Sequence, residues 1–298
     1  MTSRPPSRSS SWPTDAAPPP PPDPAPAGTP DGAAAPPPDQ PPPAPPHTTR
    51  AHSFNAAAAQ YAANRPSYPP ALLDALEELS GRPLPGSRVA DVGAGTGIAT
   101  ALLHARGADV IAVEPGDGMA AQFRRTLPDV PLVRGSGDAL PLADASVDLL
   151  TYAQAWHWTD PARSVPEALR VLRPGGALAL WWNTDALDVP WIADQADRTA
   201  RRFGVNLTAE RRDAGTRATG PAARLAFTRR VIRWSRRVPL DTHLAHLGSH
   251  SVLLVARHET AAAFLAEERA HLLTTFPDGI VEEVYDVDLR VALRPAPA

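Results

Sequence analysis

The sequence predicts an α/β fold built on a doubly wound, mostly parallel sheet. Two observations carry this. Between Arg88 and Asn183, short apolar runs alternate with helix-length segments of about ten residues, the pattern of repeated βαβ units. The chemically distinctive residues also fall where those apolar runs end. In doubly wound sheets that is the carboxyl edge, where ligands bind.

The elements follow in order. Asn55–Ala63 reads as a helix, and "RPSYPP" breaks it. A second helix runs from Ala71 to Leu79, with Pro70 suited to its first turn and Gly81 to its end. "RVADVG" is a strand that stops in glycine, and "IATALLHARG" is a helix that stops at Gly107. "DVIAVEPG" and "GMAAQFRRTLP" repeat the pair. "VPLVRGSGDALP" gives a short strand and a loop. "VDLLTYAQA" is a strand, "ARSVPEALRVLRPGG" a helix closed by Pro-Gly-Gly, and "ALALWWN" a strand. From Asp194 to Leu240 periodicity weakens. Residues 198–237 carry twelve arginines against Glu210 and Asp213. "DTHLAHLGSHSVLLVA" and "ETAAAFLAEERAHLLTTF" read as helical, and "IVEEVYDVDLRVALR" as a closing strand at an antiparallel edge.

Composition narrows the chemistry. The chain has 298 residues and 37 prolines, about half of them in the first 50 positions. That Pro/Ala-rich tail has too little apolar surface to offset the entropy of ordering, so 1–50 is expected to be disordered. The folded domain is expected over 51–298. Cysteine is absent, which removes disulfides, thiolate nucleophiles and zinc–sulfur sites. All 29 basic residues are arginine, so a lysine phosphate loop and Schiff-base chemistry are excluded. A net charge of −3 speaks against wholesale nucleic-acid binding. No apolar run is long enough for a membrane span or a secretory signal, and a cytoplasmic protein is expected. No metal site is expected: His258-Glu259 begins an H-E-x-x-H pattern that fails at Ala262. Asn206-Leu207-Thr208 is a sequon of no use in that compartment.

The glycine turn "GAGTG" places Gly93, Gly95 and Gly97 between a strand and a helix. A dinucleotide fingerprint needs glycine at its sixth position, where Ile98 stands. Alone, the turn is weak evidence, and a tight connection with no ligand is the lesser alternative. Glu114 ends the next strand, 21 residues after Gly93. A carboxylate there can accept from ribose hydroxyls, as it does in nicotinamide enzymes. Asp138, after the third strand, can accept from an adenine amino group. "AQAWHW", Gln154 to Trp158, puts two indoles and an imidazole after the fourth strand.

Together, "VADVGAGTG … VEPGDGM … GDALPLADASVDLL … AQAWHW … RVLRPGGALALWWN" resembles the class I S-adenosylmethionine-dependent methyltransferases. It is most similar to their small-molecule group, which includes ubiquinone/menaquinone-type and trans-aconitate-type enzymes. The resemblance covers about 54–184 and hardly reaches 185–240. It implies a Rossmann-like seven-stranded sheet with an antiparallel last strand. It implies lid helices over 51–85, a cofactor core over 86–184, an Arg-rich substrate cap over 185–240, and C-terminal helices with the last strand over 241–298.

The resemblance also implies roles. Asp91 faces the methionine amino group, directly or through water. Gly93 and Gly95 admit the ligand to the backbone. Glu114 holds the ribose, Met119 packs on adenine, and Asp138 with the Ala139 backbone reads its edge. Gln154 lies near the methionine end, and Tyr61 and Arg65 belong to the lid. Trp156 and Trp158 are candidates for the acceptor pocket or for packing. His157 is the candidate general base. The Arg-rich stretch reads first as a solvated helix face, then as a site for an anionic acceptor; a nucleic-acid track has only Phe203, Phe227 and Trp234 as interleaved aromatics to support it.

The function expected is methyl transfer to a small molecule, at an oxygen of an anionic or phenolic acceptor. Two rivals stand beside it: an NAD(P)-dependent oxidoreductase, and a non-catalytic nucleoside-binding protein on the same fold.

Overall fold

The computed structural model describes residues 64–205 and 225–295. The proline-rich tail, the expected helix at Asn55–Ala63, Tyr61 and the middle of the Arg-rich stretch lie outside the described residues.

Among the described residues, seven strands form one sheet: β1 (Arg88–Val92), β2 (Asp109–Val113), β3 (Leu132–Val133), β4 (Val147–Ala153), β5 (Leu172–Asp185), β6 (Phe227–Pro239) and β7 (Ile280–Leu293). Their order is β3-β2-β1-β4-β5-β7-β6. Strands β1 to β5 pair in parallel. The last strand, β7, is antiparallel to both neighbours. It is not at the edge, as its sequence suggested. It is inserted between β5 and β6, and β6 is the edge. Strand order reverses between β1 and β4, which opens a crevice at the carboxyl ends of the strands.

The strands are apolar because both faces of the sheet are covered. In β5, Ala177, Ala179 and Trp181 join one core while Leu178, Leu180 and Trp182 join the other. The first face receives α1 (Pro70–Ser80), α2 (Ile98–Ala105) and α3 (Asp117–Thr126) through Leu72, Leu76, Leu103 and Phe123. Each such side chain contributes about 1.5–3 kcal/mol on burial. The second face receives α4 (Pro161–Val171) through Val165, Ala168 and Val171. Helix α1 starts on Pro70 and stops at Gly81, whose φ of 64° is left-handed. Helix α4 is capped by Asp160, which accepts from the Ala162 amide at 3.0 Å. It ends at Val171, before the Pro-Gly-Gly expected to close it, and β5 takes up those residues.

Four further helices, α5 (Pro190–Phe203), α6 (Leu240–Gly248), α7 (Ser251–Leu254) and α8 (His258–Thr275), build smaller cores of their own. The run expected as one helix from Asp241 breaks at Ser249–His250. The Ser249 hydroxyl donates to the His246 carbonyl at 2.6 Å, which satisfies an orphan carbonyl at the end of α6.

The described part of the Arg-rich stretch is a solvated helix face only at its start, where Arg201 and Arg202 are exposed on α5. Much of it is the edge strand β6, and its arginines meet acids on neighbouring elements. Arg233 lies opposite Asp286 and Arg236 opposite Glu283. Their Nε atoms donate to those carboxylates at 2.9 and 2.6 Å. Arg229 reaches Asp288 at 2.8 Å, and Arg230 reaches Glu78 on α1. These arginines satisfy carboxylates of the protein itself. Opposite charges facing across a ladder also support its register.

Candidate functional site

The expected site residues lie at the carboxyl edge of the sheet, and the structure joins several of them directly. Glu114 follows β2 and is 6% exposed. Its two oxygens accept from the backbone amides of Gly95, at 2.8 Å, and Gly116, at 2.7 Å. One carboxylate therefore ties the glycine turn to the entry of α3. Burial raises its pKa, against those two amides and the charge of Arg134. Arg134 itself donates to the Glu114 carbonyl at 3.0 Å and pairs with Asp117. Met119 follows on α3 and is buried.

The three glycines of the turn have different reasons to be glycine. All have positive φ. A Cβ on Gly93 would stand 2.5 Å from the Ala155 side chain, and one on Gly97 would stand 2.6 Å from Leu127. Both are demanded by protein packing. A Cβ on Gly95 would meet only the Gly93 carbonyl, at 4.0 Å. Gly95 is thus where the backbone lies open to a ligand. The close approach expected at Gly93 is made by Ala155.

Asp91 is fully buried on β1. It accepts from the hydroxyls of Thr100 at 2.6 Å and Thr151 at 2.9 Å. Burial raises its pKa to about 6 although both hydroxyls favour its charged form. These partners make it a brace between β1, β4 and α2. It does not open onto the crevice as expected.

After β3, Asp138 is half-buried and Ala139 exposed. Asp138 accepts from the Asp160 amide at 2.9 Å, and burial raises its pKa. After β4, Gln154 has φ of 59°, a conformation costing a non-glycine residue about 1–3 kcal/mol. Its amide is held by the Trp181 carbonyl at 2.9 Å. Strain persisting at a strand end beside a crevice suits a positioned side chain. Gln154 lines a hollow with Arg65, Tyr68, Ile98 and Asn183. Arg65 donates to the Ser249 carbonyl at 3.0 Å.

Trp156 is not in a pocket wall. It is 2% exposed, and its ring meets Tyr152 edge-on with centroids 4.7 Å apart. Trp158 is half-buried beside the His157 ring, 4.4 Å away. His157 Nδ1 accepts from the Trp182 indole at 3.3 Å. An indole can only donate, so the neutral ring carries its proton on Nε2. In this arrangement the lone pair of His157 is turned to a core tryptophan, which opposes its expected role as base.

The sequence reading missed a second hollow. It is lined by Asp185, Trp191, Gln195, His243, His246 and Tyr285 among others, with about 590 Å³ of empty space, open solvent included. It shares Asp185, His246 and Tyr285 with the hollow at Gln154. Two signals for it were present: histidines at 243, 246 and 250 on one side of a helical run, and the alternation Val281, Glu283, Tyr285, Val287. Among the described residues, no group of three or more His, Cys, Asp or Glu is placed to hold a metal ion. None of their helices is long and apolar enough to cross a membrane.

Sheet order, glycine turn and the acid ending β2 define a class I methyltransferase fold. Comparisons with known proteins agree. Residues 90–180 match the family model described as "Methyltransferase domain". An uncharacterized methyltransferase of Mycobacterium tuberculosis is 36% identical over 225 residues, 76% of this chain and 87% of that one. A demethylmenaquinone methyltransferase of Beutenbergia cavernae is 41% identical over 122 residues, 41% of this chain and 49% of that one. A solved structure described as a type II methyltransferase from Anaeromyxobacter dehalogenans superposes with a TM-score of 0.60 at 28% identity, covering 78% and 99% of the two chains. The chain belongs to the class I S-adenosylmethionine-dependent methyltransferases.

Proposed function

We propose that this chain methylates an oxygen of a small-molecule acceptor, with S-adenosylmethionine held at the glycine turn. The observation that carries the reading is Glu114. Its carboxylate ends β2, bonds the Gly95 and Gly116 amides, and lies beside the one glycine of the turn that is open to a ligand. The residues fit such a group. Acids are at hand for ribose hydroxyls and an adenine amino group, and no lysine is present to suit a phosphate.

Bound there, S-adenosylmethionine supplies a methyl group on a positively charged sulfur. Glu114 accepts from the ribose hydroxyls, and Gly95 lets the backbone approach. Met119 packs on the adenine face. Asp138 and the Ala139 backbone read the adenine edge. Gln154 and Arg65 serve the methionine end, Arg65 by pairing with its carboxylate. Tyr61 would join them from outside the described residues. Asp91 acts at one remove, by fixing β1 and α2 through its two threonines. His157 orients Trp182 and Trp158. The main catalytic work left to the chain is alignment, which can be worth roughly 7–11 kcal/mol.

Turnover with methyl-labelled S-adenosylmethionine against a panel of phenols and carboxylic acids tests the proposal. Label transferred to an acceptor oxygen supports it. Tight S-adenosylhomocysteine binding with no transfer to any acceptor would favour a nucleoside-binding protein.

A further inference from the structure

The hollow at α5 and α6 is built around buried polar groups that the cofactor cradle does not use. Glu283, on β7, is 2% exposed. Its Oε2 accepts from Arg236 Nε at 2.6 Å and from the Tyr285 hydroxyl at 2.8 Å. Its Oε1 faces His243 Nδ1 at 2.7 Å. The other nitrogen of His243 faces the Gln195 amide at 3.1–3.2 Å. Gln195 in turn donates to Glu268 at 3.0 Å. His243 is thus engaged on both sides. His246 is different. Its Nδ1 lies 3.4 Å from the Tyr285 oxygen and 3.6 Å from Glu283 Oε1. Tyrosine has one proton to donate, and here it is donated to Glu283. The phenol oxygen can then only accept from His246. That fixes the imidazole proton on Nδ1 and leaves the lone pair on Nε2.

Position and charge say what such a group could serve. His246 borders both hollows, so its ring stands between the Gln154 side and the Trp191 side. Trp191 and Ile192 give the far side an apolar wall. The carboxylates there, Asp185 and Glu283, are unfavourable neighbours for an anionic acceptor. Of the nearby cations, Arg236 is engaged with Glu283, and Arg65, which lines the hollow at Gln154, is the proposed partner of the methionine carboxylate.

We infer that this hollow is the acceptor pocket, that its acceptor is an uncharged phenol lying against Trp191, and that His246 takes the phenol proton. The inference rests on the proposed methyl transfer and narrows its acceptor from anionic or phenolic to phenolic. The acceptor oxygen bonds the methyl carbon. The carbon–sulfur bond breaks with its electron pair left on sulfur. The hydroxyl proton passes to Nε2 of His246 and then to solvent. Tyr285 and Glu283 are positioning residues, holding His246 in the tautomer that can receive a proton.

The groups facing His246 keep it neutral. Burial lowers its pKa to about 4, helped by Arg65 and His243 and opposed by Glu283. His250 meets its ring edge-on at 5.0 Å, Tyr285 bonds Nδ1, and Asp185 lines the same two hollows. The base is therefore available across the neutral range.

The test uses the full chain with histidine labelled by ¹⁵N, assigned with His246→Gln and read by nuclear magnetic resonance. The expected result is a neutral His246 with its proton on Nδ1 at neutral pH, and a weaker preference in Tyr285→Phe, where Glu283 Oε1 is left as the acceptor facing Nδ1. That variant keeps the ring stacked on Trp234, 5.3 Å away. A proton on Nε2, or an imidazolium at neutral pH, would overturn the base. Alongside it, 4-nitrophenol and 4-nitrobenzoate are titrated below neutral pH, with and without S-adenosylhomocysteine. At least tenfold tighter binding of the phenol, lost in Trp191→Ala, supports the acceptor class. Equal or tighter binding of the benzoate overturns it. Failure of S-adenosylhomocysteine to bind would sink the cofactor reading alone, because the tautomer and probe titrations do not require it.

Discussion

Glu114 and Asp91 are both buried acids at the carboxyl edge, yet their partners give them different work. Glu114 bonds backbone amides that border the crevice, and Asp91 bonds threonines beneath it. Glu114→Ala should weaken S-adenosylhomocysteine binding by about 1.5–3 kcal/mol, the worth of hydrogen bonds to a charged group. Calorimetry checks this, and an unchanged dissociation constant would remove the ribose assignment. Asp91→Asn should act on stability through pH. The native pKa of about 6 is above the ordinary carboxylate value. Between the two values the native state holds more protons than the unfolded chain. Stability from this group is therefore lost as pH rises, by about 3 kcal/mol in all. Urea unfolding of both proteins from pH 4 to pH 7 should show that slope in the wild type and not in the variant. Parallel pH profiles would contradict it. At this scale the sequence made the acids and glycines visible, because spacing from strand ends locates them. It did not separate Gly95, open to a ligand, from Gly93, packed on Ala155. Nor did it separate a core Trp156 from a pocket wall. Those distinctions depend on what packs from elsewhere in the chain.

The parallel strands were legible because two-sided burial writes an uninterrupted apolar run. Strand β6 was not. Arginine occupies five of its thirteen positions, and acids that answer them lie far off in the chain, on β7 for Arg229, Arg233 and Arg236 and on α1 for Arg230. A charge-rich segment reads as a solvated surface until topology supplies its partners. The helical lobe has a comparable internal tie. Arg198 on α5 donates to Glu268 on α8, which is fully buried. Arg198→Ala would leave that carboxylate with Gln195 as its remaining donor among these groups. Removing one partner of a buried pair commonly costs about 3–5 kcal/mol. With Arg198 partly exposed and Gln195 still bonded, a loss of about 2–3 kcal/mol is expected. Denaturant unfolding measures it. A loss under half a kcal/mol would mean that Glu268 is stabilised without the arginine.

For the whole molecule, the sheet brings two sites to one edge. The glycine turn and Glu114 lie on the β1–β2 side, and the Tyr285–His246 hollow lies on the β5–β7 side. Gln154 and Ile98 border the passage between them. A ligand that binds only the native fold stabilises it by mass action. At a hundredfold excess over its dissociation constant, S-adenosylhomocysteine should raise the melting temperature by roughly 5–10 °C. A scan with and without it checks this, and Glu114→Ala should blunt the shift.

The central claim is that the turn at Gly95 holds a sulfonium nucleoside and not a dinucleotide. Calorimetric titration of the full chain with S-adenosylhomocysteine, and separately with NADH, tests it most directly. The account predicts one S-adenosylhomocysteine per chain, with a dissociation constant on the order of micromolar, and no heat from NADH. Binding of NADH with silence from S-adenosylhomocysteine would contradict it.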